Sequence, residues 1–232
     1  MKVMILAAGL GKRLRPLTLN KPKPLVEVAG KSLIIHHIEQ LAAAGFNDIV
    51  INHSWHGEQI VNALGNGSRW GVNIAYSEEP EPLETAGGII QALPLLKDGQ
   101  SEDNQPFLVV NGDVFTDYPF DLVPDSIDGQ AHLIMVNNPD FRKTGDFALQ
   151  QGRVQEQGEQ WLTYSGISVL TPELFADTPT GVQALAPVLK QAIADGEVTG
   201  EHFQGLWTDV GTVERLNDLE QYLAGGSSGS IC

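Results

Sequence analysis

Short apolar runs alternate with segments of helical periodicity along the first half of the chain. In the clearest helical segment, apolar residues recur every three or four positions, which predicts a helix over residues 32–44. A wholly apolar run at 107–110 predicts a buried strand instead. Further strands are predicted at 2–7, 48–52 and 72–77, and further helices over 56–64 and 85–96, the last with Thr85 as its N-terminal cap. This alternation is typical of a mostly parallel sheet that helices cover on both faces.

The second half carries shorter strands separated by tight turns. A helix over 182–195, a strand near 205–208 and a last helix over 213–223 end the pattern. We expect one domain over residues 1–223, and we expect the Gly/Ser-rich tail, 224–232, to be disordered or vector-derived. A small antiparallel insertion is predicted from strands at 131–136, 147–150, 153–155 and 163–170.

Charge is divided unevenly along the chain. The 232 residues carry a formal net charge of −15, yet seven of the 14 Lys and Arg residues lie within positions 1–31, where Glu27 is the only acid. A strongly acidic protein is a poor partner for nucleic acid or for an anionic membrane surface, so we expect it to bind neither. The single cysteine, Cys232, excludes an internal disulfide and is typical of a reducing compartment, which predicts a cytoplasmic protein.

The basic residues surround a glycine-rich loop that follows the first predicted strand. Glycines let the backbone approach a ligand, backbone N–H groups can cradle phosphate oxygens, and Lys or Arg side chains neutralise them. The spacing differs from that of a Walker loop, because Leu6 and Arg13 stand where that loop needs glycine and Ser/Thr. It also differs from the dinucleotide motif, because Leu14 replaces the third glycine. A polyphosphate site is therefore the first hypothesis, and a solvated basic turn is the alternative.

Two aspartates stand near the ends of apolar segments. Asp113 follows the buried run at 107–110, and Asp209 follows the strand near 205–208. Strand ends of such sheets meet at one edge, and carboxylates beside a phosphate loop suit Mg²⁺. The alternatives are a turn aspartate for Asp113 and a hydrogen bond near the helix start for Asp209. The six histidines lack zinc-site spacing, and Cys232 lies in the tail, so a covalent nucleophile is not predicted.

Several blocks of the sequence together resemble the signature of the sugar-1-phosphate nucleotidylyltransferases. They are LAAGLGKRLRPLT at 6–18, KPKP at 21–24, EPEPLETAGG at 79–88, NGD at 111–113, YSGI at 164–167 and WTDVGT at 207–212. The resemblance implies an α/β fold of three layers, a Rossmann-like nucleotidyltransferase fold whose antiparallel insertion binds the sugar. It also implies a Mg²⁺-dependent reaction in which a nucleoside triphosphate and a sugar-1-phosphate give a nucleotide sugar and pyrophosphate. We expect UTP as the nucleotide, and a monomer or a homodimer.

The matching positions carry the family's functional residues over to this chain. By similarity, Arg13, Lys23 and Asp113 are catalytic: Arg13 holds the phosphates that leave, and Lys23 stabilises charge at the α-phosphate. Nucleotide binding is assigned to Ala8, Gly9, Gly11, Lys12, Arg13, Lys23, Glu79, Thr85, Gly87 and Gly112. Sugar binding is assigned to Asn111, Gly145, Asp146, Tyr164 and Gly166, and metal binding to Asp113 and Asp209.

The sequence departs from the family pattern on the acceptor side. Many thymidylyl- and uridylyltransferases carry Glu-Lys-Pro before a later strand, whereas residues 154–160 contain no lysine, which argues against glucose-1-phosphate. Another cation must hold the acceptor phosphate, and the candidates are Arg142, Lys143 and Arg153. The chain is most similar to the uridylyltransferases that act on N-acetylmuramic acid α-1-phosphate in peptidoglycan recycling, in part because C-terminal hexapeptide repeats are missing. Mannose-1-phosphate guanylyltransferase and a non-catalytic nucleotide-sensing module are the alternatives.

Overall fold

The computed structural model describes residues 1–97, 104–140 and 142–225, which form a nine-stranded sheet with helices on both faces. Residues 226–232 of the predicted tail lie outside the described residues. The helices are α1 (Leu33–Ala43), α2 (Gly57–Leu64), α3 (Glu84–Leu96), α4 (Leu185–Ala194) and α5 (Val213–Leu223). The strands are β1 (Val3–Leu6), β2 (Glu27–Val28), β3 (Lys31–Ser32), β4 (Asp48–His53), β5 (Asn73–Glu78), β6 (Phe107–Asn111), β7 (Val114–Thr116), β8 (Ala131–Val136), β9 (Phe147–Gln150), β10 (Arg153–Gln155), β11 (Trp161–Leu170), β12 (Val198–Phe203) and β13 (Trp207–Asp209).

The large sheet has the strand order β5-β4-β1-β6-β11-β8-β12-β10-β9. The strands from β5 to β6 are parallel neighbours, and β8 and β12 form a second parallel pair. β11 lies between these two groups and is antiparallel to both β6 and β8. The prediction of a mostly parallel central sheet is confirmed, because β8 and β12 run in the same direction as β6.

The hairpin of β9 and β10 forms the antiparallel insertion at the edge of this sheet, whereas β8 and β11, which were also predicted to belong to the insertion, lie inside the central sheet. On one side, Arg153 of β10 pairs with Thr199 of β12. On the other side, Ala148 of β9 pairs with Trp161 at the start of β11. The hairpin thus bridges two strands that β8 separates, and its residue Phe147 lines one cavity of the site described below.

Alternate residues of β1 face opposite helix layers. Met4 packs in one core cluster with Ile89 of α3 and Leu189 of α4. Val3 packs in the other cluster with Ile34 of α1, on the opposite face of the sheet. All five side chains are almost completely buried. Apolar side chains on both faces of the parallel strands explain why those strands read as continuous apolar runs, and they give the three predicted layers.

Two helix starts and several short strands differ from the sequence prediction. The prediction of Thr85 as a helix cap is wrong, because α3 begins at Glu84 and Leu83 holds the cap position. α4 begins three residues later than predicted, since the backbone of Gln183 is bonded to Leu83 and Gly87 instead of to a helix. The strands β2, β3, β7 and β12 were not predicted; β12 reads VTGEHF, which offers little apolar pattern.

Candidate active site

The glycine-rich loop begins where β1 ends, at the carboxyl edge of the sheet. Gly11 adopts a left-handed conformation with φ of 59°, and a Cβ atom there would lie 3.0 Å from Thr18 Cγ2 and 3.1 Å from Lys23 Cβ. The Thr18 hydroxyl donates to the Gly11 carbonyl at 2.7 Å and fixes the turn. Gly9 is exposed, and a Cβ atom there would meet no atom within 4 Å. Gly11 therefore serves the packing of the loop, whereas Gly9 leaves room for a ligand.

A hydrogen-bonded chain beneath the loop joins the ends of three parallel strands. The backbone N–H of Ala7 donates to Asn52 Oδ1 at 2.8 Å, and Asn52 Nδ2 donates to Glu79 Oε1 at 2.6 Å. The second oxygen, Glu79 Oε2, accepts from the backbone N–H of Leu83 at 2.9 Å. Glu79 is only 2% exposed, and this network compensates the cost of burying its carboxylate. Glu79 thus holds the cavity floor in shape.

A cavity of about 540 Å³ opens above this floor, and we call it the nucleotide cavity. Three residues predicted to bind the nucleotide are absent from its wall. One is Gly11, which serves the packing of the loop. Arg13 lies in the neighbouring cavity, and Gly87 packs on the chain before α4, where a Cβ atom would clash with the carbonyl oxygen of Gly181. The predicted residues on its wall are Ala8, Gly9, Lys12, Lys23, Glu79, Thr85, Gly112, Asn111 and Asp113; Leu10, Asn52, Pro82, Glu84 and Val182 are unpredicted members.

The two aspartates are brought together by the short ribbon of β7 and β13. In this antiparallel pair, Asp209 lies opposite Val114, and the N–H of Val210 donates to the Asp113 carbonyl at 2.8 Å. Each carboxylate has a cationic partner. Lys23 Nζ lies 2.6 Å from Asp113 Oδ2, and Arg215 Nη1 contacts Asp209 Oδ1. The sequence predicted the aspartates but missed Arg215.

Helix α1 braces the strand that follows Asp113. The Nε2–H of His37 donates to the Val114 carbonyl at 2.9 Å, and Gln40 Nε2 donates to the Thr116 carbonyl at 2.8 Å. Between them, the His36 ring meets the Phe115 ring edge-on at 5.1 Å. His37 is 1% exposed, and its burial lowers its pKa from 6.5 to about 4, so the ring is neutral at neutral pH. The helix thereby positions the backbone that carries Asp113.

Replacing His37 by glutamine is expected to weaken the pH dependence of the free energy of unfolding below neutral pH. In the unfolded state of the unmutated protein, His37 binds a proton at its ordinary pKa of 6.5. In the folded state, burial lowers this pKa to about 4, so His37 stays neutral between these two pH values. The free energy of unfolding therefore decreases as the pH falls from about 6.5 to about 4. Between about pH 7.5 and pH 5 this linkage amounts to about 2 kcal/mol, to be measured by urea unfolding. Gln40→Leu is the control, since it breaks the neighbouring bond without removing a proton site. Equal pH slopes in native protein and His37→Gln would contradict the prediction.

A second cavity of about 660 Å³ lies on the other side of Asp113, and we call it the acceptor cavity. Its wall includes Asn111, Gly145, Asp146 and Tyr164, four of the five residues to which sugar binding was assigned. Gly166, with φ of 81°, lies behind Asn111 at an irregularity in β11, where a Cβ atom would clash with the Asn111 amide. Gly166 therefore shapes this wall indirectly.

The Tyr164 side chain and backbone are both held in place. Its hydroxyl lies 2.8 Å from Ser168 Oγ, and its backbone N–H donates to Asp146 Oδ2 at 2.9 Å. Arg142 Nη1 lies 2.5 Å from the same carboxylate oxygen. Burial raises the pKa of Tyr164 to about 12, so the phenol stays neutral at neutral pH. Tyr164 is thus a rigid, uncharged part of the wall.

The wall of the acceptor cavity carries four cations beside the three carboxylates of Asp113, Asp146 and Asp209. Of the three cations predicted for the acceptor phosphate, Arg142 lies on its wall, whereas Lys143 and Arg153 do not. Arg153 is instead paired with Asp128 at 2.5 Å on the far side of the hairpin. The cations on the wall are Arg13, Arg142, Lys190 and Arg215. Lys190 and Arg215 lie in helices without a motif around them, and this explains why the sequence missed them.

Only two described side chains, Asn111 and Asp113, line both cavities. Two anionic ligands seated on either side would therefore meet at Asp113. The described residues contain no group of three or more His, Cys, Asp or Glu that could enclose a metal ion. Two carboxylates suit Mg²⁺, which keeps several waters and completes its coordination with substrate phosphates. No helix in the described part of the chain has the length and apolarity to cross a bilayer.

Comparisons with known proteins agree with this geometry. The family described as nucleotidyl transferase matches residues 2–140. N-acetylmuramate alpha-1-phosphate uridylyltransferase of Neisseria meningitidis is 52% identical, over 97% of this chain and 99% of the relative. Mannose-1-phosphate guanyltransferase of Saccharomyces cerevisiae is 36% identical over 94% of this chain, which spans 66% of that relative's length.

A solved structure has the same fold. HddC from Yersinia pseudotuberculosis, complexed with GMP-PN, superposes with a TM-score of 0.78 at 23% identity, and the match covers 96% of this chain and 99% of HddC. This likeness agrees with the α/β architecture predicted from the sequence, and the family match identifies that architecture as the nucleotidyltransferase fold. The family match and the 52% identical relative show more than the fold. The chain belongs to the sugar-1-phosphate nucleotidyltransferase family, and it is an enzyme of that type.

Proposed function

We propose that the enzyme transfers a uridylyl group from UTP to N-acetylmuramic acid α-1-phosphate, giving UDP-N-acetylmuramic acid and pyrophosphate. The observation that carries this proposal is the 52% identity to the uridylyltransferase of Neisseria meningitidis, which extends over nearly the full length of both chains. The product is a precursor of peptidoglycan, so the reaction would serve its recycling. The single cysteine supports a cytoplasmic site for it.

On the nucleotide side, the chain supplies backbone and cationic groups. UTP would occupy the nucleotide cavity, with its phosphates on the loop that contains Gly9 and with Lys23 beside the α-phosphate. Arg13, on the acceptor side of the loop, would hold the β- and γ-phosphates as they leave. Asp113 and Asp209 would hold Mg²⁺, which neutralises phosphate charge during transfer. Asp113 borders both cavities, so the proposed metal ligand would lie where the two substrates meet.

On the acceptor side, the sugar phosphate itself is the nucleophile. Its oxygen is already anionic, so no general base is needed, and catalysis consists of positioning and charge neutralisation. The acceptor cavity would hold the sugar between Tyr164 and the first turns of α4, with Asn111 at the junction. Four cations and three aspartates share this wall, so the acceptor phosphate would enter a site whose positive groups are already largely paired.

Transfer of GMP to mannose-1-phosphate is the second candidate, because guanyltransferases for that sugar are 36% identical to this chain. We rank it second because the guanyltransferase is less similar to this chain than the 52% identical uridylyltransferase is. A non-catalytic nucleotide sensor is disfavoured, since it would not need both a second anion-binding cavity and a pair of metal-type carboxylates at the junction.

A matrix of the common nucleoside triphosphates against several sugar-1-phosphates tests the proposal. Pyrophosphate release with Mg²⁺ should be fastest for UTP with N-acetylmuramic acid α-1-phosphate, by at least about tenfold over GTP with mannose-1-phosphate, as expected for a site built to bond one base edge. Reactions without Mg²⁺ and without sugar phosphate are the controls. A preference for GTP and mannose-1-phosphate would select the second candidate, and binding without turnover for every pair would select the sensor.

A further inference from the structure

Arg215 folds back onto a proposed metal ligand. It lies in the first turn of α5, whose start is capped because Thr212 Oγ1 accepts from the Arg215 backbone N–H at 3.3 Å. Its Nη1 contacts Asp209 Oδ1 and lies 3.5 Å from the Asp209 carbonyl oxygen. Gly211 makes room for this contact, since a Cβ atom there would lie 3.0 Å from Arg215 Nη1. The start of α5 thus holds the Arg215 guanidinium in contact with the Asp209 carboxylate.

The same guanidinium belongs to the wall of the acceptor cavity. The side chain of Arg215 is 18% exposed and that of Asp209 is 26% exposed, so the pair is only partly shielded from water. A cation that binds Asp209 must compete with Arg215 for negative charge, because one carboxylate cannot fully compensate both. A guanidinium whose Asp209 contact is weakened still lies beside the acceptor cavity, and its planar fork of N–H donors matches the geometry of a phosphate.

Arg13 also lines this cavity near Asp209, since a Cβ atom on Gly211 would lie 3.5 Å from Arg13 Cζ, but the ion pair with Asp209 is made by Arg215. The other two cations of the wall are placed differently. Arg142 pairs with Asp146, which also holds the Tyr164 backbone, and Lys190 lies 3.8 Å from Glu156. Neither Asp146 nor Glu156 is assigned to the metal. Binding of a metal ion to Asp209 would therefore weaken the ion pair of Arg215 directly, whereas the pairs of Arg142 and Lys190 would stay intact.

From this arrangement we propose that Arg215 is a displaceable counter-ion of Asp209, and that binding of a divalent cation transfers its guanidinium to the phosphate of the acceptor. Arg215 is then the cation that replaces the lysine missing from residues 154–160. Metal and acceptor phosphate become positively coupled ligands, since each stabilises the arrangement that the other needs. The inference rests on the proposed function only in naming that phosphate as the acceptor's.

The first test measures metal binding in the absence of any substrate. Mn²⁺ is titrated into native protein, Arg215→Met and Arg142→Met, and free Mn²⁺ is followed by electron paramagnetic resonance. Loss of the competing cation should tighten Mn²⁺ binding to Arg215→Met by roughly three- to tenfold, as expected for a partly shielded charge pair. The matched control, Arg142→Met, should bind Mn²⁺ like native protein. Unchanged or weaker Mn²⁺ binding to Arg215→Met would overturn the proposal.

The second test measures the coupling itself, with inorganic phosphate as the probe in calorimetry. Native protein should bind phosphate more tightly with Mg²⁺ than without it, Arg215→Met should lose most of this gain, and Arg215→Lys should keep part of it. An equal Mg²⁺-dependent increase in phosphate affinity in native protein and Arg215→Met would contradict the proposal. Phosphate bound at the nucleotide loop would then explain the increase. If Arg215→Met fails to fold, the lack of any Mg²⁺ effect in native protein overturns the proposal by itself. Neither test contains a nucleotide or a sugar, so the proposal can fail while the uridylyl reaction stands.

Discussion

Replacing Asp113 by asparagine is expected to lower kcat/KM for pyrophosphate release by at least about 10³-fold, since loss of a metal's charge stabilisation costs several kcal/mol of barrier. Asp113 is shared by both cavities, its backbone is held by the β7–β13 ribbon, and its side chain is paired with Lys23. The amide keeps the shape of the side chain but removes its charge. The loss should therefore appear in the metal dependence as well as in the rate.

Steady-state pyrophosphate release at increasing Mg²⁺ concentration checks this expectation. Asp121→Asn is the matched control, because Asp121 is an exposed aspartate outside both cavities, in the 3₁₀ turn Phe120–Leu122. It should retain native kinetics. An Asp113→Asn enzyme with native activity at saturating Mg²⁺ would remove Asp113 from the metal site.

Replacing Lys23 by methionine is expected to lower kcat by about 10²- to 10³-fold, the usual cost of removing one preorganised charge at a developing anion. Lys23 is only 8% exposed, its ammonium lies on the wall of the nucleotide cavity, and its stem packs against Gly11. Methionine preserves most of that packing. The effect should thus fall on turnover, with a smaller change in the KM for UTP.

Lys21 provides the comparison for Lys23 within the same segment. It is a half-exposed lysine whose Nζ lies 3.3 Å from Glu27, and it does not line either cavity. An exposed pair of this kind contributes little, so Lys21→Met should leave both kcat and stability near native values. Similar losses in Lys21→Met and Lys23→Met would indicate a general electrostatic effect of the loop instead of a positioned charge.

The centre of the parallel half of the fold was predictable because β1, β4 and β6 are buried on both faces. Such strands appear as apolar runs, and their ends locate the glycine-rich loop and Asp113 on one edge. The partners of β12 were not predictable, since its residues alternate poorly and its pairing with β8 depends on distant contacts. Local pattern predicts elements better than it predicts which strands lie side by side.

Site residues were predictable where a motif surrounds them and not elsewhere. Asp209 was predicted because it lies in the WTDVGT block at 207–212. The contact of its partner Arg215 depends on how α5 packs against the end of β13, and the sequence pattern does not show this packing. Gly87 shows the opposite case. It lies inside a motif, yet its position against Gly181 shows a need for close packing that a motif cannot distinguish from ligand binding.

The order in which the two cavities are built along the chain has an evolutionary consequence. Apart from Val182, the wall of the nucleotide cavity comes from residues 6–113, whereas most of the acceptor wall comes from residues 139–215. On the proposed function, the choice of base and the choice of sugar would depend largely on separate stretches of the gene. A recombination between these stretches would join the nucleotide-side wall of one enzyme to the acceptor-side wall of another, with Asn111 and Asp113 common to both walls.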